Sequence, residues 1–325
     1  MQSTPVVSVE SLSHKYGERL ALDNLSFTAG AGEIFGLLGP NGGGKTTTFR
    51  ILSTLIRPTS GKVTIFGFDL LTQPREVQRR IGVVFQSPSL DKKLTAYENL
   101  DHQGRLYGLS GSVLKDRITY LLDRVKLSDR AHEYVEAFSG GMRRRVELAK
   151  GLLHGPKLLL LDEPSTGLDP GARRDMWQYL RELSASEGVT SLLTTHYMEE
   201  AAQCSRIAIL NSGKLVAMGP PDELRATIGG DVISIQSPQP ADLQRSIVEQ
   251  FSLAVELVDG TVRVETPKGH EWVAKLGGAF PGLIDSMTIS KPTLDDVFIK
   301  KTGHKFWVES EPDTTAKDKK RGKKS

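Results

Sequence analysis

Apolar and polar positions along the chain switch between two rhythms. Short, almost uninterrupted apolar runs stand at residues 34–38 (IFGLL), 81–85 (IGVVF), 158–161 (LLLL) and 191–194 (SLLT). Each is shorter than an ordinary helix and is bounded by turn residues, which predicts buried strands. Between the runs apolar residues recur at helical spacing. Phe49, Leu52, Leu55 and Ile56 do so in residues 47–56, and Met142, Val146, Ala149 and Leu153 do so after residue 141. Strands that alternate with helices predict an α/β sheet domain. The first thirty residues differ, because residues 6–9 and 20–27 flank the turn Tyr16-Gly17-Glu18-Arg19. That pattern predicts an antiparallel strand pair, with Leu20, Leu22 and Leu25 as core residues.

Over residues 95–131 the strand signals stop. Leu100, Leu106, Leu109, Leu114, Ile118, Leu121, Leu122 and Val125 keep helical spacing. This predicts a helical subdomain, about residues 87–150, inserted into the sheet domain with residues 86–95 as its hinge. Beyond residue 230 the predicted order is strand, helix, strand, strand, helix, strand, a βαββαβ series compatible with a ferredoxin-like unit, with a last helix over residues 294–302. The expected divisions are a sheet domain at 1–229, a small α+β domain at 230–305 and a tail at 306–325.

Charge alters the picture only at the end. The net charge is +3, and residues 310–325 hold six basic residues against Glu311, Asp313 and Asp318, leaving 36 of each sign in the body. A neutral body weighs against a broad nucleic-acid surface. The tail reads as a disordered, solvated segment, with a weak contact to anionic lipid or RNA as the alternative. No stretch approaches 18 consecutive apolar residues, so no membrane span is expected, and the N-terminus has no secretory pattern. The single cysteine, Cys204, precedes an apolar run and reads as a small core residue.

The candidate chemistry sits where apolar strands end. Strand 34–38 runs into Gly39-Pro40-Asn41-Gly42-Gly43-Gly44-Lys45-Thr46-Thr47 and then a helix, the context that G-x-x-x-x-G-K-[ST] requires. Backbone N–H groups of residues 41–46 and the positive end of the helix suit a nucleoside triphosphate. Lys45 would reach its β- and γ-phosphates, and the Thr46 hydroxyl would hold Mg²⁺. Strand 158–161 runs into Asp162-Glu163-Pro164. Carboxylates at the end of a buried strand are costly unless a metal or a reaction uses them, which suggests Asp162 for the Mg²⁺ shell and Glu163 for the attacking water. Strand 191–194 leads to Thr195-His196, and His196 at the same sheet edge reads as a γ-phosphate contact. Gln86 ends another strand, where ligands are met in α/β folds, although a lone glutamine there is usually structural. Ser139-Gly140-Gly141 opens a helix and forms a second anion-binding helix start. Asp169 and Pro170 cap a further helix. Tyr16, beside Gly17, is either an ordinary turn tyrosine or a platform for an adenine ring.

Taken in order, these residues resemble the ATP-binding subunits of ABC transporters over about residues 5–228. GPNGGGKTT is similar to Walker A, Gln86 to the Q-loop glutamine, FSGGM to the signature, LLLLDEP to Walker B, STGLD to the D-loop and His196 to the switch histidine. Tyr16 matches the A-loop aromatic. The resemblance implies a P-loop ATPase fold and ATP held between Walker A of one subunit and the signature of its partner. It further implies Mg²⁺ as cofactor, with Gln86 among its ligands. A second ATPase subunit, workable as a homodimer, and a separate integral membrane permease are implied as partners. The location implied is the cytoplasmic face of the membrane, through the permease. Met142 replaces the usual glutamine of the signature, and Gly43 the usual alanine of the phosphate loop. Met142 with the arginines after it, and a C-terminal segment like TLDDVFIKKTG, resemble the daunorubicin-type branch of ABC-2 exporters. A soluble ABC-type ATPase acting on nucleic acid or ribosomes would instead show a basic body, coiled-coil or zinc insertions, or two fused units; the sequence has none of these.

Overall fold

The computed structural model describes residues 5–306. The described chain divides into two units, residues 5–228 with 292–297, and residues 229–291 with 298–306. Nineteen of the tail residues, 307–325, lie outside the described residues. Phe306 itself is buried and meets Phe298 edge to face at 5.0 Å, so folded structure continues one residue past the boundary expected at 305.

In the first unit, β1 (Val7–Tyr16) and β2 (Arg19–Ala29) pair antiparallel around the expected turn, and β1 continues well past residue 9. They are followed by β3 (Ile34–Leu38) and α1 (Lys45–Leu52), then β4 (Ser60–Ile65), β5 (Phe68–Asp69), α2 (Pro74–Gln78) and β6 (Ile81–Val84). The inserted helices are α3 (Ala96–Leu106), α4 (Gly111–Arg124) and α5 (Gly140–Leu152). Next come β7 (Leu158–Asp162), α6 (Pro170–Glu187), β8 (Thr190–Thr195), α7 (Met198–Ala201), β9 (Arg206–Asn211), β10 (Lys214–Gly219) and α8 (Pro221–Ala226). A six-stranded sheet has the order β10-β9-β3-β8-β7-β6, parallel except for β10. A four-stranded antiparallel sheet has the order β2-β1-β4-β5. One core joins the two, with Val7, Leu25 and Ile65 packed in the same cluster as Phe35, Leu52 and Leu160.

Every residue of β3, β7 and β8 is buried, which explains why these strands read as continuous apolar runs rather than alternations. The N-terminal hairpin departs from simple alternation. Leu22 and Leu25 are in the core, but Leu20 is 43% exposed. Partners Leu12↔Leu25, His14↔Leu22 and Lys15↔Leu20 are unevenly spaced, and Asn24 sits at φ 52°, so bulges reset which side chains face inward. Two other expected core leucines are also exposed. Helix α1 ends at Leu52, leaving Leu55 outside its apolar face, and Leu106 is at the last turn of α3.

The second unit holds β11 (Asp231–Gln236), α9 (Pro240–Phe251), β12 (Val255–Val258), β13 (Thr261–Thr266), α10 (Gly269–Ala279) and β14 (Ser286–Ser290); the last helix, α11 (Leu294–Thr302), has residues 294–297 in the first unit and the rest in the second. The antiparallel order β12-β13-β11-β14 is that of a ferredoxin-like, split βαβ unit. Ile233, Ile235, Val262 and Val264 pack against Leu243, Ile247 and Leu276 of its helices.

The placement of α5 against the large sheet depends on a glycine. A Cβ on Gly82 of β6 would lie 2.2 Å from the Gly151 carbonyl oxygen of α5 and 3.0 Å from Leu159 and Pro156. A backbone oxygen cannot move aside without lifting the helix. Gly82→Ala is therefore expected to destabilise the chain by at least about 2 kcal/mol, read as a lower urea midpoint.

Candidate functional site

The site is built at the carboxyl ends of neighbouring parallel strands. β3 ends at Leu38, and the chain turns through Gly39–Gly44 into α1. Gly44 caps the helix at φ 104°, and a Cβ there would meet Leu22 at 2.8 Å, so the turn requires glycine. A Cβ on Gly39 would meet the Leu210 carbonyl at 2.5 Å. The loop is thus packed beneath and left open above. Asn41 to Thr47 line one cavity together with Tyr16, Arg19, Ala21 and Glu163. Tyr16 is half exposed at the end of β1, edge-on to His14 at 4.6 Å, so a ring face remains available for stacking.

Lys45 is buried, and its Nζ donates to the carbonyls of Gly39 at 2.7 Å and Pro40 at 3.0 Å. Burial lowers its pKa from the ordinary lysine value, while Glu163 and Asp162 act in the opposite sense. Asp162 ends β7 and accepts a 2.6 Å hydrogen bond from Thr194 of β8. Burial raises its pKa above the usual carboxylate value, against the Thr194 hydrogen bond, and the neighbouring Glu163 adds to the rise. Thr46, Gln86 and Asp162 line a second cavity, with Arg50 on its wall; Thr46 belongs to both.

Glu163 joins residues far apart in sequence. Its Oε1 is 3.0 Å from His196 Nδ1, its Oε2 accepts from Gln86 Nε2 at 3.1 Å, and Thr166 donates to Oε2 at 3.3 Å. The Glu163 backbone lies at φ 42°, a left-handed conformation that costs a side chain about 1–3 kcal/mol and is characteristic of working sites. Its N–H donates to Thr194 Oγ1 at 2.9 Å, so one threonine secures both carboxylate residues.

Ser139, Gly140 and Gly141 line neither cavity. Ser139 caps α5 by accepting from Met142 N, and both Ser139 and Gly140 face solvent. Met142 Sδ accepts from Arg130, so the position that departs from the usual signature makes its contact within the helical insertion. The structure therefore gathers Tyr16, the phosphate loop, Gln86, Asp162, Glu163 and His196 in one region and leaves the signature segment outside it.

Three charged residues escaped the sequence reading. Arg19 belongs to the turn beside Tyr16, and nothing in its spacing marks it as part of the cavity wall. Arg144 and Glu147 lie off the apolar face of α5, and nothing in the helical spacing marks them as buried, yet both are buried and paired at 2.9 Å. Only the Arg-Arg-Arg run hinted that an arginine was needed there.

The donor chemistry fits a magnesium nucleotide. The phosphate loop offers a helix start and a buried ammonium for a polyanion. Thr46, Gln86 and Asp162 form an all-oxygen set with one carboxylate, which suits Mg²⁺ shared with phosphate oxygens.

Comparison with known proteins identifies the family. Residues 22–166 match the family model described as ABC transporter, and residues 219–302 match the C-terminal domain of DrrA1-3-like ATP-binding proteins. The daunorubicin resistance ATP-binding protein DrrA2 of Streptomyces coeruleorubidus is 38% identical, covering 92% of this chain and 95% of that protein. The Nod factor export ATP-binding protein I of Ralstonia nicotianae is 40% identical over 94% of this chain and 96% of its own length. Among solved structures, an ATP-binding subunit of an ABC transporter aligns at 32% identity and TM-score 0.62, covering 68% of this chain and 92% of that one. A dimeric ATP-binding cassette bound to ADP and Pi aligns at 29% identity and TM-score 0.59, covering 66% of this chain and 98% of that one. The chain belongs to the ATP-binding subunits of the ABC transporter family, ATPases that power transport, in the branch that carries a DrrA-like C-terminal domain.

Proposed function

We propose that this subunit hydrolyses MgATP in a dimer with a second copy of itself and thereby drives a separate membrane permease that exports a hydrophobic, drug-like compound. The observation that carries the catalytic part is the meeting of Gln86, Glu163 and His196 beside the phosphate loop. Glu163 polarises the attacking water, and His196, on Oε1, fixes the direction of its carboxylate and meets the γ-phosphate. Gln86 spans two tasks, with its amide nitrogen on Glu163 and its amide oxygen directed to the cation shell with Thr46 and Asp162. Lys45 exchanges the two loop carbonyls it now holds for β- and γ-phosphate oxygens. When bound, Mg²⁺ supplies charge neutralisation at those oxygens. Tyr16 stacks on the adenine.

Dimerisation follows from what one subunit omits. Ser139 and Gly140 of its signature segment face solvent, and residues 139–141 do not line its own phosphate-loop cavity. A second copy can bring Ser139, Gly140 and Gly141 to the open side of the nucleotide. Since each chain carries every motif, a homodimer has two complete sites. The export assignment is supported by relatives named for daunorubicin resistance and Nod factor export. Among the described residues no helix is long and apolar enough to cross a membrane, so passage through the bilayer falls to the permease. That partner seats in the groove next to the Q-loop, lined in part by Val83, Phe85, Gln103, Tyr107 and Lys150. The subunit then works at the cytoplasmic face of the membrane.

Glu163→Gln is expected to lower the hydrolysis rate by about 10²–10⁴-fold while retaining ATP. With ATP and Mg²⁺ it should elute as a dimer in size-exclusion chromatography and retrieve a polytopic membrane protein from source membranes. A monomer at saturating ATP would contradict the sandwich. Tyr107→Asp should leave the isolated subunit's ATPase activity in place and abolish its stimulation by the permease, measured in proteoliposomes.

Asp162→Asn separates stability from activity. Asp162 has a raised folded-state pKa, so its charged form weakens the apo fold above that pKa, and the penalty disappears as pH falls below the unfolded value. The variant should raise the apo melting temperature at neutral pH, read by differential scanning calorimetry. That gain should fade on acidification. Activity should be lost throughout.

A further inference from the structure

Helix α5 carries a buried ionic grip on the two segments that present Gln86 and Glu163. Arg144 Nε donates to the Pro164 carbonyl at 2.6 Å, and Nη1 donates to the Phe85 carbonyl at 2.6 Å and to Glu147 Oε2 at 2.9 Å. Its Nη2 lies 3.3 Å from the carbonyls of both Asp162 and Glu163. Glu147 Oε1 accepts from Ser89 N at 2.5 Å, and Lys150 Nζ donates to Ser89 O at 2.9 Å. Residues 144, 147 and 150 fall on one helical face, three apart.

A buried ion pair seldom stabilises a fold better than apolar residues of the same volume. The use of this pair lies in what else the guanidinium holds. Four of its acceptors are main-chain carbonyls, three of them from consecutive residues centred on Glu163. That residue has the left-handed backbone, and such a conformation persists only where its surroundings over-determine it. The fourth carbonyl, on Phe85, immediately precedes Gln86.

We infer that Arg144 is a positioning residue for hydrolysis, acting with Glu147 as its counter-charge. It holds the main chain at Glu163 and Gln86 so that Gln86, Glu163 and His196 converge. This rests on the reading of Glu163 as the group that polarises water. Because α5 begins at the signature segment, the same side chain also ties that segment to the subunit's own Glu163.

The test compares Arg144→Met/Glu147→Leu, Arg144→Lys and Glu163→Gln in the full chain, by steady-state ATPase kinetics, fluorescent-nucleotide titration and thermal unfolding. The double variant replaces the ion pair by an apolar pair, so a cooperative unfolding transition should remain. Its kcat should fall about 10- to 100-fold, as expected for a misplaced reacting group, with KM and nucleotide affinity within about twofold of the parent. Arg144→Lys should recover only part of the rate, because an ammonium lacks the planar fork. A folded double variant with kcat within about twofold of the parent would overturn the inference. So would a loss of kcat matched by an equal loss of folded, nucleotide-binding protein. Should the double variant not fold, Arg144→Lys carries the same test, with reduced kcat at unchanged KM expected and full kcat overturning the inference. Glu163→Gln distinguishes the levels. If it is inactive while the double variant is active, only the role of Arg144 fails; if it hydrolyses ATP at the parental rate, the water-polarising role fails and this inference with it.

Discussion

A charge can remain inside a protein only where other groups replace its lost water, and this constraint organises the ATPase unit. Lys45 is held by two loop carbonyls, Asp162 by Thr194, and Arg144 by Glu147 and the strand-end carbonyls. The parallel sheet makes this possible, since its strand ends bring residues 45, 86, 162, 163 and 196 to one edge from separate parts of the chain. The compensation is uneven, and the unevenness has a function. Lys45 and Asp162 are both pushed by burial toward their neutral forms, an unfavourable apo arrangement that, under the proposed reading, a polyanion and its cation would relieve together.

The same edge bears on the proposed dimer. The groups proposed to meet phosphate, metal and water stand at strand ends and in the phosphate loop, whereas the signature segment opens a helix of the insertion, with Ser139 and Gly140 exposed. In the proposed dimer a second subunit supplies the surface that closes the site. Under that proposal nucleotide binding and subunit association are one equilibrium, and removal of the γ-phosphate would weaken both.

Much of this was legible in the sequence because it depends on local pattern. Buried parallel strands announce themselves as apolar runs, and the phosphate loop and the Asp162-Glu163 pair are contiguous in the chain. The switch histidine and Gln86 were readable as strand-end residues, but not their shared contact with Glu163, which spans 77 residues between Gln86 and its partner. The errors were equally physical. Leu20 was misplaced because bulges near His14 and Asn24 break the two-residue period. The burial of Arg144 and Glu147 is not readable from spacing, because helical periodicity records which face is apolar, not whether the opposite face is covered by another strand end. A burial pattern set by tertiary contact leaves no periodic trace.

Cys204 has a consequence of a different kind. It is the only cysteine in the chain, is buried against β3 where a Cβ on Gly36 would come within 2.8 Å of its Sγ, and burial raises its thiol pKa far above the usual range. The thiolate that would react with oxidants or alkylating reagents is therefore scarcely populated in the folded protein. Thiol chemistry has no handle on this ATPase unit. A cysteine introduced on its surface would become its sole reactive sulfur, so a spin label or fluorophore could follow the opening and closing of the subunits without altering the native core.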